Sequence, residues 1–254
     1  MKNLISILCF LALNIFITGC QEPKVNEKAV TVTFLVDVTD KPITTSIVDD
    51  FNANLNAFFT STGLGKIDLG QSLTVRMGPI DESDQLSLQT RSIALTDKNV
   101  SRREAERQRN PRPILEMIKE ELARYEVLSE TQKASPIIDV TLKAFKEMTE
   151  TNEILVICTD GLETVYANFY RNIPNTEQAV EKLISKVDPV LLSAAMQQIS
   201  ASDPQVVIVL KPNDKVKNTA DLKLFYSEFM RQLGVTVPVT FIDNLSNKIT
   251  IYHD

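Results

Sequence analysis

Histidine is nearly absent from this 254-residue chain: the single copy is His253. A zinc site built from several histidines is therefore excluded by inventory, and a histidine-based catalytic triad would have to rest on this one residue, second from the end of the sequence. Cysteine is almost as scarce, with Cys9, Cys20 and Cys158 only. Cys9 lies in an apolar N-terminal run and Cys20 just beyond it, so Cys158 stands alone and no internal disulfide frame is expected. Within "EILVICTDG", Cys158 reads as a small buried hydrophobe, not a nucleophile. Excess positive charge is missing too. The net charge is −6, which argues against a nucleic-acid partner and against electrostatic adhesion to anionic lipid. No glycine-rich phosphate loop and no Gly-x-Ser-x-Gly elbow is present. Internal repeats and low-complexity segments are absent as well.

What the chain does have begins with "MKNLISILCFLALNIFITGC". One lysine, an apolar run from Leu4 to Ile17 and a small pair before Cys20 read as a signal segment over residues 1–19. The run is short and early for a membrane-spanning helix. Its ending, Ile17-Thr18-Gly19-Cys20, resembles the lipobox of bacterial lipoproteins. That resemblance implies cleavage before Cys20, covalent lipid on Cys20 and attachment to the membrane through that lipid. It also implies a place in the cell envelope, at the outer membrane or cell surface. Residues 20–29 read as a tether, and 30–254 as one domain whose stability must come from an ordinary core, with 43% hydrophobic residues to build it.

Along that domain, runs of two kinds alternate. "VTVTFLV", "EILVICT", "QVVIVL" and "VPVTFID" are apolar and β-branched, as strands buried on both faces are. "SLTVRMGPI" and "LSLQTRSIAL" flank the turn-rich "DESDQ" and predict an antiparallel hairpin at the sheet edge. Between them, Ile47, Phe51, Leu55 and Phe58, then Ile114, Ile118, Leu122 and Tyr125, then Ile138, Leu142 and Phe145 recur at helical spacing. Asp188-Pro189 pairs a cap with a first-turn proline, and Gly234 closes a helix over 219–233. The expected fold is α/β: a Rossmann-like, mostly parallel central sheet with one antiparallel edge strand and helices on both faces. "SRREAERQRNPRP" reads more readily as a solvated, charge-paired helix start than as a docking patch. Phe225, Tyr226 and Phe229 read as core.

Two of the apolar strands end on an aspartate, Asp37 in "FLVDVTDK" and Asp160 in "ILVICTDG". In a parallel sheet the carboxyl ends of the strands are where ligands bind. Taken with "KASPIIDVTLKAF", these segments resemble the von Willebrand factor type A domain. That family has a strand ending Asp-x-Ser-x-Ser, a threonine loop opening a later helix and a strand ending Thr-Asp-Gly. The resemblance implies a metal-ion-dependent adhesion site formed by Asp37, Thr39, Ser135 and Asp160, with Mg²⁺ or Mn²⁺ as the cation and protein as the partner. It also implies that the first and fourth strands lie side by side.

One position departs from the pattern. Lys41 stands where the family has its second serine, and an ammonium donates but cannot ligate. Two readings stay open: a held cation, or a metal-free polar network in which Lys41 itself neutralises Asp37 or Asp160, the latter favoured. The functional expectation is a membrane-anchored, non-catalytic protein-binding module. The rivals are a metal-assisted hydrolase or phosphatase and a structural subunit of an envelope assembly. The hydrolase is weakened because the position two past Asp37 is Thr39, not a second acid.

Overall fold

The structure is a computed structural model that describes residues 28–65, 71–95, 111–149, 153–211, 213–214 and 218–249. The signal segment, Cys20, most of the tether, the arginine-rich run at 101–110 and His253 lie outside the described residues.

The apolar runs form one six-stranded sheet: β1 (Lys28–Asp37), β2 (Gln71–Ile80), β3 (Gln89–Leu95), β4 (Glu153–Thr159), β5 (Gln205–Leu210) and β6 (Thr240–Ile242). Their spatial order is β3-β2-β1-β4-β5-β6, and every neighbouring pair is parallel except the β2–β3 hairpin at one edge. The expected α/β class, with a single antiparallel edge strand, is the observed one. β1 and β4 are adjacent, in a register that sets Val36 opposite Cys158. From β1 the chain builds outward in one direction to β3, then crosses to β4 and builds the other way. The crevice between β1 and β4 is therefore the switch point where such sheets bind ligands.

Among the described residues six helices cover the faces. α1 (Lys41–Ser61) and α2 (Arg112–Leu128) pack on one side with Val32, Phe34, Val36, Ile154 and Val156. α3 (Ile137–Lys146), α4 (Glu177–Ile184), α5 (Pro189–Ser202) and α6 (Thr219–Leu233) pack on the other with Leu35, Leu155, Ile157 and Ile208. Period-two alternation sorts each strand between these two cores. On β1 the odd positions face α3, and on β4 likewise Leu155 and Ile157 do. Cys158 is a buried free thiol on the α1 side, and burial pushes its pKa up.

Two helices show why they start and stop where they do. The Asp188 side chain accepts the Val190 N–H ahead of α5. Gly234 ends α6 at φ +97°, a left-handed conformation suited to glycine. The aromatic set on α6 is core, with Phe225 and Phe229 stacked at 5.7 Å between centroids. One element differs from expectation. β6 is not a core strand but a three-residue, partly exposed edge strand, because Pro238 just before it cannot donate to a ladder. Among the described residues no helix is long and apolar enough to cross a membrane.

Candidate functional site

Asp37 ends β1 on the face that α3 covers, and it is 1% exposed. Burying a carboxylate is costly unless its acceptor positions are filled. Here four donors fill them. Oδ1 accepts from the Thr39 N–H at 3.1 Å and from its hydroxyl at 2.5 Å. Oδ2 accepts from the Ser135 hydroxyl at 3.0 Å and from the Thr159 hydroxyl at 2.6 Å. Burial raises the Asp37 pKa above the ordinary carboxylate range, and these bonds oppose the rise.

Asp160, 4% exposed, follows β4. Its Oδ1 accepts the Leu162 N–H at 2.9 Å and its Oδ2 accepts from Asn213 Nδ2 at 2.5 Å. Its pKa is pushed up to about 6, first by burial and next by the charge on Asp37. The two carboxylates thus feel each other across the switch point. Gly161, at φ +81°, makes the turn that follows; a Cβ there would meet Leu210, Leu222 and Tyr226 at 3.1–3.3 Å. Tyr226 in turn donates its hydroxyl to the Gly161 carbonyl at 3.0 Å.

Asp37, Thr39 and Ser135 therefore converge directly, and Asp160 joins them electrostatically. The group that meets Asp37 across the crevice is Thr159. With Val36 opposite Cys158, the next pair is Asp37 and Thr159, both on the α3 face. Counting parity from Leu155 and Ile157 finds this residue in the sequence; reading the Thr-Asp-Gly motif only for its aspartate misses it.

Lys41 goes elsewhere. It is the first residue of α1, its side chain is 59% exposed, and its ammonium bonds Glu130 at 2.6 Å, raising the Lys41 pKa and lowering that of Glu130. It does not take up the charge of Asp37 or Asp160 in this arrangement. Thr44 donates to the carbonyls of Asp37 and Asp40 and so secures the turn into α1.

The segment carrying Ser135 is held from two further sides. Glu82, in the β2–β3 loop, accepts the Lys133 and Ala134 N–H groups through Oε1, both at 2.6 Å. From inside, Ser135 N–H donates to Thr164 Oγ1 at 2.7 Å, and Thr164 N–H returns a bond to the Ser135 carbonyl at 3.2 Å.

The donor set suits a hard cation. Thr39 and Ser135 each spend their one hydroxyl proton on Asp37 and keep lone pairs to offer, while Asp160 keeps acceptor capacity beyond its two bonds. Among the described residues no group of three or more His, Cys, Asp or Glu side chains is placed to hold a metal, so hydroxyls would have to complete any such set.

No protein-family model matches the sequence, and neither does any curated protein. Among solved structures, the human COPII-coat protein Sec24c matches at 14% identity and a TM-score of 0.44, over 90% of this chain and 31% of that one. The manganese-loaded TRAP protein of Plasmodium vivax matches at 14% identity and a TM-score of 0.29, over 86% of this chain and 69% of that one. This chain thus spans about a third of the first. Both scores lie below 0.5, and the fold is defined by the chain's own sheet. That sheet is Rossmann-like and mostly parallel, with β1 and β4 side by side at the centre and one antiparallel edge strand.

Proposed function

We propose that the chain is a membrane-anchored, non-catalytic protein-binding module that engages its partner at the carboxyl ends of its sheet. One observation carries this reading: two buried carboxylates, Asp37 and Asp160, stand at the carboxyl ends of adjacent strands at the switch point, and hydroxyls from three separate segments are gathered around the first. A polar strand terminus with no further task would be cheaper built with neutral side chains.

Mg²⁺ or Mn²⁺ fits there. Thr39, Ser135 and Asp160 would hold the cation, and Asp37, its own acceptor positions filled, would aim the hydroxyls. When bound, the cation supplies positive charge that offsets the carboxylate repulsion and leaves open positions for an acidic group of the partner. Catalysis is not part of the proposal. Thr39 occupies the place where a phosphatase of this strand-end type needs its second acid, and both Asp37 oxygens are engaged. Lipid on Cys20 would present the domain at the bacterial cell envelope, on the outer membrane or cell surface.

Capture from detergent-solubilised membranes tests the docking face, using wild type, Asp160→Ala and Lys146→Ala. Lys146 lies at the far end of α3, away from the strand ends. Capture should fail with Asp160→Ala and survive with Lys146→Ala. A chelator should reproduce the Asp160→Ala result if a metal mediates contact. The same partners captured by all three proteins would place binding elsewhere and favour a scaffold role in an envelope assembly.

A further inference from the structure

Glu163 is fully buried, 0% exposed, three residues past Asp160. No lysine or arginine among the described residues forms a salt bridge with it. Its carboxylate works on two segments at once. Oε2 accepts the N–H of Ile138, in the first turn of α3, at 2.9 Å. Oε1 accepts the N–H of Val165 at 2.6 Å and that of Tyr166 at 3.3 Å. Beside it run the two reciprocal bonds between Ser135 and Thr164.

A carboxylate suits this place because both of its oxygens accept, whereas a glutamine would turn an NH₂ toward one set of N–H donors. The position at a helix N-terminus favours a negative group. Burial nevertheless outweighs these bonds and pushes the Glu163 pKa up to about 7.

We propose that Glu163 is the positioning residue of the strand-end site: by fastening the segment after β4 to the first turn of α3, it fixes Ser135 and Asp160 relative to one another. The proposal rests on the strand-end reading above. Each fastened segment carries one residue of the proposed donor set, Asp160 on the first and Ser135 on the second. Glu163 itself touches neither a cation nor a partner. It acts through the backbone that bears both.

The test compares the full chain as wild type, Glu163→Gln, Glu163→Asp and Thr164→Val. Amide hydrogen exchange is read residue by residue, and the melting temperature is titrated with MnCl₂. In Glu163→Gln, exchange should quicken about tenfold or more at Ser135, Ile138, Val165 and Tyr166, while the β1 and β4 amides keep wild-type rates. The MnCl₂ midpoint should rise about tenfold or more in the same variant. Glu163→Asp, which keeps both acceptors on a shorter stem, should recover part of each. Thr164→Val, which removes one of the reciprocal bonds and leaves Glu163 in place, should shift both readouts in the same direction and serves if Glu163→Gln does not fold. Exchange that quickens across the whole sheet, or a Glu163→Gln protein with unchanged exchange at Ser135 and an unchanged midpoint, overturns the proposal. If wild type itself ignores MnCl₂, the cation reading fails, and the exchange pattern alone then decides for or against Glu163.

Discussion

Replacing Asp160 by asparagine should make the protein more stable at neutral and alkaline pH. The Asp160 carboxyl titrates at about 6 in the folded protein and near 3.8 in its ordinary state, because burial first and Asp37 second oppose its charge. That gap of roughly two pH units is a gross cost of ~3 kcal/mol for carrying the charge in the native state. Asparagine keeps an acceptor for the Leu162 N–H, but its amide nitrogen then meets Asn213, at a loss of ~1 kcal/mol. A net gain of about 2 kcal/mol remains, or roughly 4–8 °C in melting temperature for a domain of this size. The sign follows from proton counting. Between pH 4 and pH 6 the native wild type holds more protons than the unfolded chain, so its stability falls as pH rises through that window. The advantage of asparagine is therefore full above about pH 6 and gone near pH 4. Circular-dichroism melts of both proteins at pH 8 and pH 4 measure it. No gain at pH 8, or the same gain at both values, would refute the account of two opposed buried carboxylates. MgCl₂ or MnCl₂ at pH 8 should narrow the difference by stabilising wild type alone.

Other changes test other parts of the molecule. Lys211→Met leaves Asp50 without its cation inside the fold, where the two form a pair at 2.5 Å with both side chains 5% exposed, and should cost about 3–5 kcal/mol in urea unfolding. Restoring a neutral pair with Asp50→Asn in the same chain should recover a large part of that loss. Lys41→Ala breaks only a solvated pair with Glu130, so the melting temperature and its response to MgCl₂ should match wild type; a clear destabilisation would mean that Lys41 does compensate the strand-end carboxylates. Cys20→Ser should move the protein out of the membrane fraction, whereas wild-type protein found soluble, with its signal cut at another position, would remove the lipid anchor from the proposal.

Legibility in the sequence tracks how far apart the interacting residues lie. Strands and helices are set by neighbours within a few positions, and the β-branched runs and the i, i+3, i+4 stripes located nearly all of them. β6 looks longer in the sequence than it is because "VPVTFID" is apolar, while the proline that shortens it acts through a missing ladder bond. In the candidate site, Asp37 and Asp160 stood out because a carboxylate ending an apolar strand has to be offset by something. Thr159 was within reach of the same reading, since parity alone assigns it to the face of Asp37. Lys41 illustrates the opposite case: its partner Glu130 lies 89 residues away, and no local pattern could say that the first residue of α1 turns outward.

Glu163, Asn213 and the Lys211–Asp50 pair share that obscurity, the last joining residues 161 positions apart. All three act where loops from different strands meet. Asn213 holds Asp160 from the loop after β5, and Glu163 holds the loop after β4 against α3. Lys211, also just past β5, donates its N–H to the Thr159 carbonyl while its ammonium reaches Asp50 on α1 and the Asp243 carbonyl. Thr159 is thus tied on one face to Asp37 through its hydroxyl and along the sheet to Lys211 through its backbone. A shift of the strand-end site on binding would have to be transmitted through these bonds. The residues that a motif exposes carry the charge of the site, and those that only the fold reveals hold that charge in place.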